Sequence, residues 1–134
     1  MRRIALFLIL TVALVACGNS SVDDGAYSRV GVGDFAGLLD TPPAEDLTLI
    51  DLRTAEEIAA GYIDGAAQLD FYAADFEQRL ESLPRDGHYL IYCNSGNRSG
   101  TALRLMKDLG FEQVTELDGG IQAWISSDQP LVRP

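Results

Sequence analysis

The chain has 134 residues, 47% of them apolar and 22% charged, with 20 acidic against 10 basic side chains for a formal net charge of −10. That length supports one modest core, and that charge repels nucleic acid and anionic headgroups, so no nucleic-acid partner is expected. Cys17 and Cys93 are the only two thiols.

The N-terminus reads as an export signal. Met1-Arg2-Arg3 supplies positive charge, and Ile4 to Val15 is an apolar run of 12 residues. A bilayer span needs ~20 apolar residues, so the run suits a cleavable signal rather than a membrane helix. It ends in Leu14-Val15-Ala16-Cys17, which resembles a bacterial lipobox, with cleavage before Cys17 and lipid on its sulfur. The organisation expected is a signal peptide over 1–16, an acylated Cys17 with a flexible tether over 17–27, and a folded domain over 28–134. Loss of residues 1–16 removes two arginines and no acid, so the mature chain is more acidic still. The expected location is therefore extracytoplasmic, lipid-anchored to the bacterial cell envelope at either the inner or the outer membrane. The anchor would be acyl chains such as palmitate, at ~0.8 kcal/mol per buried CH₂, rather than a basic patch. With Cys17 lipidated, Cys93 is the one free thiol and no internal disulfide is available.

The elements then follow in order. Gly18 to Ala26 is small, polar and acidic, as a tether should be. Asp34 is placed to cap a short helix carrying Phe35, Leu38 and Leu39, which Pro42-Pro43 terminates. Leu47 to Leu52 suits a buried parallel strand. Thr54 and Glu57 have capping-box spacing at the start of a helix ending near Gly61. Ala66 to Leu69 is a short strand, and Asp75 to Leu83 a helix stopped by Pro84. His88 to Cys93 is the central strand. Ser99 to Leu109 follows as a helix with Ala102, Leu105, Met106 and Leu109 on one face, closed by Gly110. Val114 to Leu117 is a last strand, and Gly119-Gly120 leads into a helix around Trp124. Alternation of this kind predicts an α/β domain with a mainly parallel sheet covered on both faces, in three layers. Sites in such sheets lie at the carboxyl ends of strands, which is where Cys93 falls.

Cys93 opens the run Asn94-Ser95-Gly96-Asn97-Arg98-Ser99 between strand and helix. Backbone N–H groups and a helix dipole converge at such a place and stabilise negative charge, so the thiol ionises below the ~8.5 of free cysteine. Arg98 adds a fixed positive charge. The product expected is a thiolate in an anion cradle. His88 starts a strand away from this loop, Trp124 reads as core, and Asp118 as a turn residue.

Four segments in one order resemble a single-domain rhodanese. Asp51-Leu52-Arg53-Thr54-Ala55-Glu56-Glu57 is similar to that family's D-V-R-x-x-x-E, and Gly61 to Ala66 to its G-H-I-P-G-A. Cys93 to Ser99 is similar to the active loop, and Leu117 to Trp124 to L-x-G-G-x-x-A-W. The resemblance implies a sulfurtransferase in which Cys93 holds sulfur as a persulfide. Sulfur would come from a small donor such as thiosulfate and pass to a thiol or cyanide, or to a protein acceptor, with no cofactor and no metal. It also implies that Arg98 orients the loop, that Ser95 and Ser99 supply hydroxyls, and that Asp51, Arg53 and Glu57 brace the cradle. Cysteine phosphatases carry five residues between Cys and Arg; four separate Cys93 from Arg98, a tighter ring that suits one sulfur atom. Position 94 is Asn where many rhodaneses carry Arg, which with the acidic surface leaves an inactive binding module as one alternative, and the solitary thiol leaves a thiol redox sensor as another.

Overall fold

The computed structural model describes residues 26–41 and 47–134. The export signal, Cys17, the Gly18–Gly25 stretch and Pro42-Pro43 lie outside the described residues. Five strands form one sheet, all parallel: β1 (Tyr27–Val30), β2 (Leu47–Asp51), β3 (Ala67–Gln68), β4 (His88–Tyr92) and β5 (Gln113–Leu117), in the spatial order β1-β5-β4-β2-β3. Between them run α1 (Val32–Asp40), α2 (Ala55–Ala59), α3 (Phe76–Glu81) and α4 (Asn97–Asp108), and α5 (Gly120–Ser126) follows β5. The expected α/β sheet with helices on both faces is what the chain forms.

The pleat divides the core in two. Ile50, Leu52, Tyr89, Ile91, Cys93 and Val114 face Phe76 and Leu80 of α3 and Ala102 and Met106 of α4. Leu49, Leu90, Tyr92 and Leu117 face the other way, onto Phe35 of α1 and Ile121 and Trp124 of α5. Alternate residues of β4 thus enter opposite layers, and both are apolar because β4 is the middle strand. Trp124 is core, as expected: its ring meets Phe35 edge-on at 6.3 Å, and its Nε1 donates to Pro130 O at 2.9 Å. His88 is away from the loop, its Nε2 3.2 Å from Thr115 Oγ1, and burial pulls its pKa down.

Three differences from the sequence reading have local causes. Residues 27–30 form a strand that nothing in the sequence pattern announces, because β1 is an edge strand of mixed polarity with no buried side chain. The first helix is capped by Gly31, not Asp34. Asp34 sits inside its first turn, where the carboxylate still meets the positive end of the dipole. The fourth helix begins at Asn97, two residues before Ser99, because Gly96 takes a left-handed φ of 96° and reverses the chain straight into the first turn. That early start decides the geometry of the site.

Candidate active site

Cys93 follows directly on β4 with no exposed surface, and its Sγ is the centre on which the loop closes. Gly96 N–H donates to Sγ at 3.1 Å and Ser99 N–H at 3.4 Å, with Ser99 Oγ also at 3.4 Å. Had α4 begun at Ser99, the loop and the helix N-terminus would be separate; because it begins at Asn97, the amide of Ser99 is both a first-turn donor and a cradle donor. Burial alone would raise the thiol's pKa. The backbone amides of Ser99, Gly96 and Ser95 pull the other way, and the net direction is downward.

The remaining loop residues hold this arrangement. Arg98 turns its guanidinium to Glu57, Nη1 to Oε2 at 2.8 Å and Nη2 to Oε1 at 2.6 Å, and lies 5.3 Å from the centroid of the exposed Tyr72 ring. It is thus a latch from the loop to α2, with its charge shared between Glu57 and the neighbourhood of Cys93; both raise the guanidinium's pKa. Glu57 completes the capping box read from the sequence, accepting from Thr54 N–H at 3.0 Å while its own N–H donates to Thr54 Oγ1. One carboxylate therefore caps α2 and holds the loop.

Arg98 drives the Glu57 pKa down from 4.5 to about 2, assisted by Thr54 and opposed by burial. A depressed carboxylate stabilises above its unfolded value and loses that stability as pH falls through its folded one. The latch is therefore fully effective above pH 4.5 and lost on approach to about pH 2. Its acid is one-third exposed, so solvent screening limits it to about 1 kcal/mol. Melting curves of wild type and Glu57→Gln should differ at pH 7 and converge across that window.

Asp51 and Arg53 form a second, deeper brace. Arg53 Nη2 donates to Asp51 Oδ2 at 2.7 Å and Nε to Oδ1 at 3.0 Å, with both side chains under 5% exposed. The same guanidinium donates to the carbonyls of Glu57 and Gly61, and Tyr92 Oη donates to Asp51 Oδ2 at 2.6 Å. Burial and the Asp51 charge push the Tyr92 phenol far above its ordinary pKa, so it stays a donor. This network fixes the residue just before Cys93 and touches the sulfur nowhere.

From the other side, α5 clamps the loop. Ile121 N–H donates to Cys93 O at 2.9 Å and Gln122 N–H to Asn94 O at 3.1 Å. That approach needs Gly120: a Cβ there would stand 2.5 Å from Cys93 O and 2.7 Å from the Asn94 carbonyl, at a φ of +59°. Gly120→Ala should cost about 2–3 kcal/mol, read by urea denaturation, because it adds both strain and overpacking.

The rhodanese-like domain pattern matches residues 32–127. The chain belongs to the rhodanese-like family. Rhodanese relatives include a sulfurtransferase of Allochromatium vinosum, 40% identical over 90 residues that cover 67% of this chain and 82% of the relative. The thiosulfate sulfurtransferase GlpE of Pseudomonas entomophila is 35% identical over 85 residues, covering 63% of this chain and 75% of that one. The crystal structure of a rhodanese-related protein from Thermoplasma volcanium superposes with a TM-score of 0.69 at 26% identity, covering 81% of this chain and all of the other. The fold is thus the rhodanese fold, and the chain is a rhodanese-type sulfurtransferase.

Sequence reasoning missed one buried group in this rhodanese site. Glu116 of β5 has no exposed surface, yet its Oε1 accepts from Ser99 Oγ at 2.6 Å and its Oε2 from Arg29 Nε at 2.9 Å. Its partner Arg29 stands 87 positions earlier in the unannounced strand β1. The one available signal was a charged residue inside a strand otherwise fit for burial. Asp118, read as a turn residue, does follow β5, with Oδ1 4.0 Å from Arg29 Nη1.

Proposed function

We propose that Cys93 is the sulfur carrier of this sulfurtransferase, taking sulfane sulfur from a thiosulfate-type donor and passing it to a thiol or cyanide. The observation that carries this reading is the convergence of the Gly96 and Ser99 amides on Sγ, which stabilises an anion before any donor arrives. In the first step the thiolate attacks the sulfane sulfur, the sulfur–sulfur bond of thiosulfate breaks, and sulfite leaves with the electron pair. Cys93 is left as a persulfide anion, with charge conserved. In the second step an acceptor thiolate or cyanide attacks the outer sulfur and Cys93 departs as thiolate, ready for another cycle. The names of similar proteins, among them a thiosulfate sulfurtransferase, support this donor class.

Such a two-step transfer releases its first product before the second substrate binds. Mixed with thiosulfate alone, the enzyme should release one sulfite per chain in a burst, and thiocyanate should form only once cyanide is added. Sulfite release that requires cyanide would contradict the carrier reading.

The same proposal places the enzyme outside the cytoplasm on a lipid anchor at Cys17, supported by the charge, apolar length and cysteine position of the N-terminal segment. Expressed in bacteria, the full chain should fractionate with membranes and carry radiolabelled palmitate. Cys17→Ser should abolish the label.

A further inference from the structure

Ser99 has one hydroxyl proton and two neighbours that would use it. Glu116 Oε1 lies 2.6 Å from Ser99 Oγ, and Cys93 Sγ lies 3.4 Å away. An ionised carboxylate at the shorter distance is much the stronger acceptor, so the proton goes to Glu116. Ser99 then presents lone pairs to the sulfur, an arrangement that suits a thiol donating its S–H and opposes a thiolate. We propose that Glu116 is a positioning residue for the sulfur carrier: by claiming the Ser99 proton it decides whether that hydroxyl accepts from Cys93 Sγ or donates to it. The inference rests on the carrier reading of Cys93 and adds to it a control on the carrier's proton.

The surroundings of Glu116 agree. Arg29 reaches it from β1, with Nε on Oε2, and a Cβ on Gly100 of α4 would stand 2.7 Å from Arg29 Nη2 and 3.5 Å from Glu116 Oε1. The first turn of α4 is thus open at Gly100 for this pair to lie against. The charged and titratable groups facing Glu116 among the described residues are Arg29, Cys93 beyond Ser99, and Asp118 on the far side of Arg29. The carboxylate is buried while Arg29 is half exposed, so the pair is anchored by geometry on one side and open to solvent on the other. When the thiol loses its proton to water, Ser99 must either turn its hydroxyl to sulfur and leave Oε1 unmatched, or leave the anion to the backbone amides alone. Either way Glu116 holds back part of what the cradle offers. A neutral Glu116 removes that opposition, and the hydroxyl becomes another donor to the thiolate or persulfide.

The test follows alkylation of Cys93 by iodoacetamide against pH, read on the peptide that contains Cys93, in the full-length protein and three variants. In Glu116→Gln the amide oxygen can face Arg29 and the NH₂ can face Ser99, which frees the hydroxyl proton for sulfur. The alkylation midpoint should fall by about one pH unit. Ser99→Ala should lower the midpoint of the otherwise native protein, because it removes the acceptor that holds the thiol's proton, and should raise it by about one unit when Glu116→Gln is present. A rise of equal size in both backgrounds would overturn the proposal, as would an unmoved midpoint in Glu116→Gln. If Glu116→Gln does not fold, Ser99→Ala in the otherwise native chain decides: a lowered midpoint upholds the proposal, and one that is unmoved or raised overturns it. Alkylation reads only the thiol's proton and sulfur loading reads only its chemistry, so failure of this proposal and failure of the carrier reading appear in different measurements.

Discussion

Cys93→Ser should reduce thiosulfate-dependent sulfur transfer by more than about a thousandfold while leaving the fold in place. Serine fits the space, and its oxygen can still accept from the Gly96 and Ser99 amides that now meet sulfur. What it lacks is chemistry. An alcohol stays protonated where a cradled thiol ionises, and its oxygen cannot hold sulfane sulfur as a transferable persulfide. The substitution therefore separates the cradle from the atom it serves. Residual transfer should not exceed the rate of donor and acceptor mixed without protein, and the thermal midpoint should stay close to wild type. Rates near wild type would mean that another group carries the sulfur.

Arg53→Met should be the most damaging single change to stability, at about 3–5 kcal/mol. Asp51 and Arg53 are almost wholly buried, and their guanidinium–carboxylate bonds run from 2.7 to 3.2 Å. Methionine fills much of the volume but leaves the Asp51 carboxylate with only the Tyr92 hydroxyl and the backbone amide of residue 53. A buried charge stripped of its partner is the costly half of such a pair. The Gly61 carbonyl loses its donor as well, and the Glu57 carbonyl keeps only the Ala60 N–H. For a domain of this size the loss corresponds to a thermal midpoint lower by about 12 °C or more. Activity measured well below that midpoint should fall far less than in Cys93→Ser, because the brace touches the strand that carries the thiol and not the thiol itself. A drop under about 1 kcal/mol would show that the pair is not the keystone the geometry makes it.

What the sequence conveyed about this fold follows from the range of each interaction. The α2 capping box lies within four consecutive residues and was read in full from Thr54 and Glu57. The buried strands β2 and β4 were legible as mostly apolar runs, because strands covered on both faces have no polar side to interrupt them, whereas β5 carries Thr115 and Glu116. The cradle was legible because strand, glycine and helix start lie within seven consecutive residues. The edge strand β1 was not, since Tyr27, Ser28, Arg29 and Val30 bury no side chain completely and carry no alternation. The missing strand hid Arg29, and with Arg29 went the reason a glutamate could be buried at position 116. Glu57 was half legible: its cap is local, but its bidentate hold on Arg98 joins positions 41 apart. The clamp from α5 was visible only as paired glycines. That the first of its amides meets the Cys93 carbonyl is a fact of tertiary approach, not of pattern.

The claim on which the account stands is that Cys93, held by amides at the end of β4, carries one sulfur atom between donor and acceptor. Intact-protein mass spectrometry after brief exposure to thiosulfate, followed by peptide mapping, measures this most directly. The account predicts a gain of one sulfur atom per chain, located on the peptide containing Cys93, reversed by cyanide and absent from Cys93→Ser. A chain that gains no sulfur, or gains it elsewhere, would contradict it.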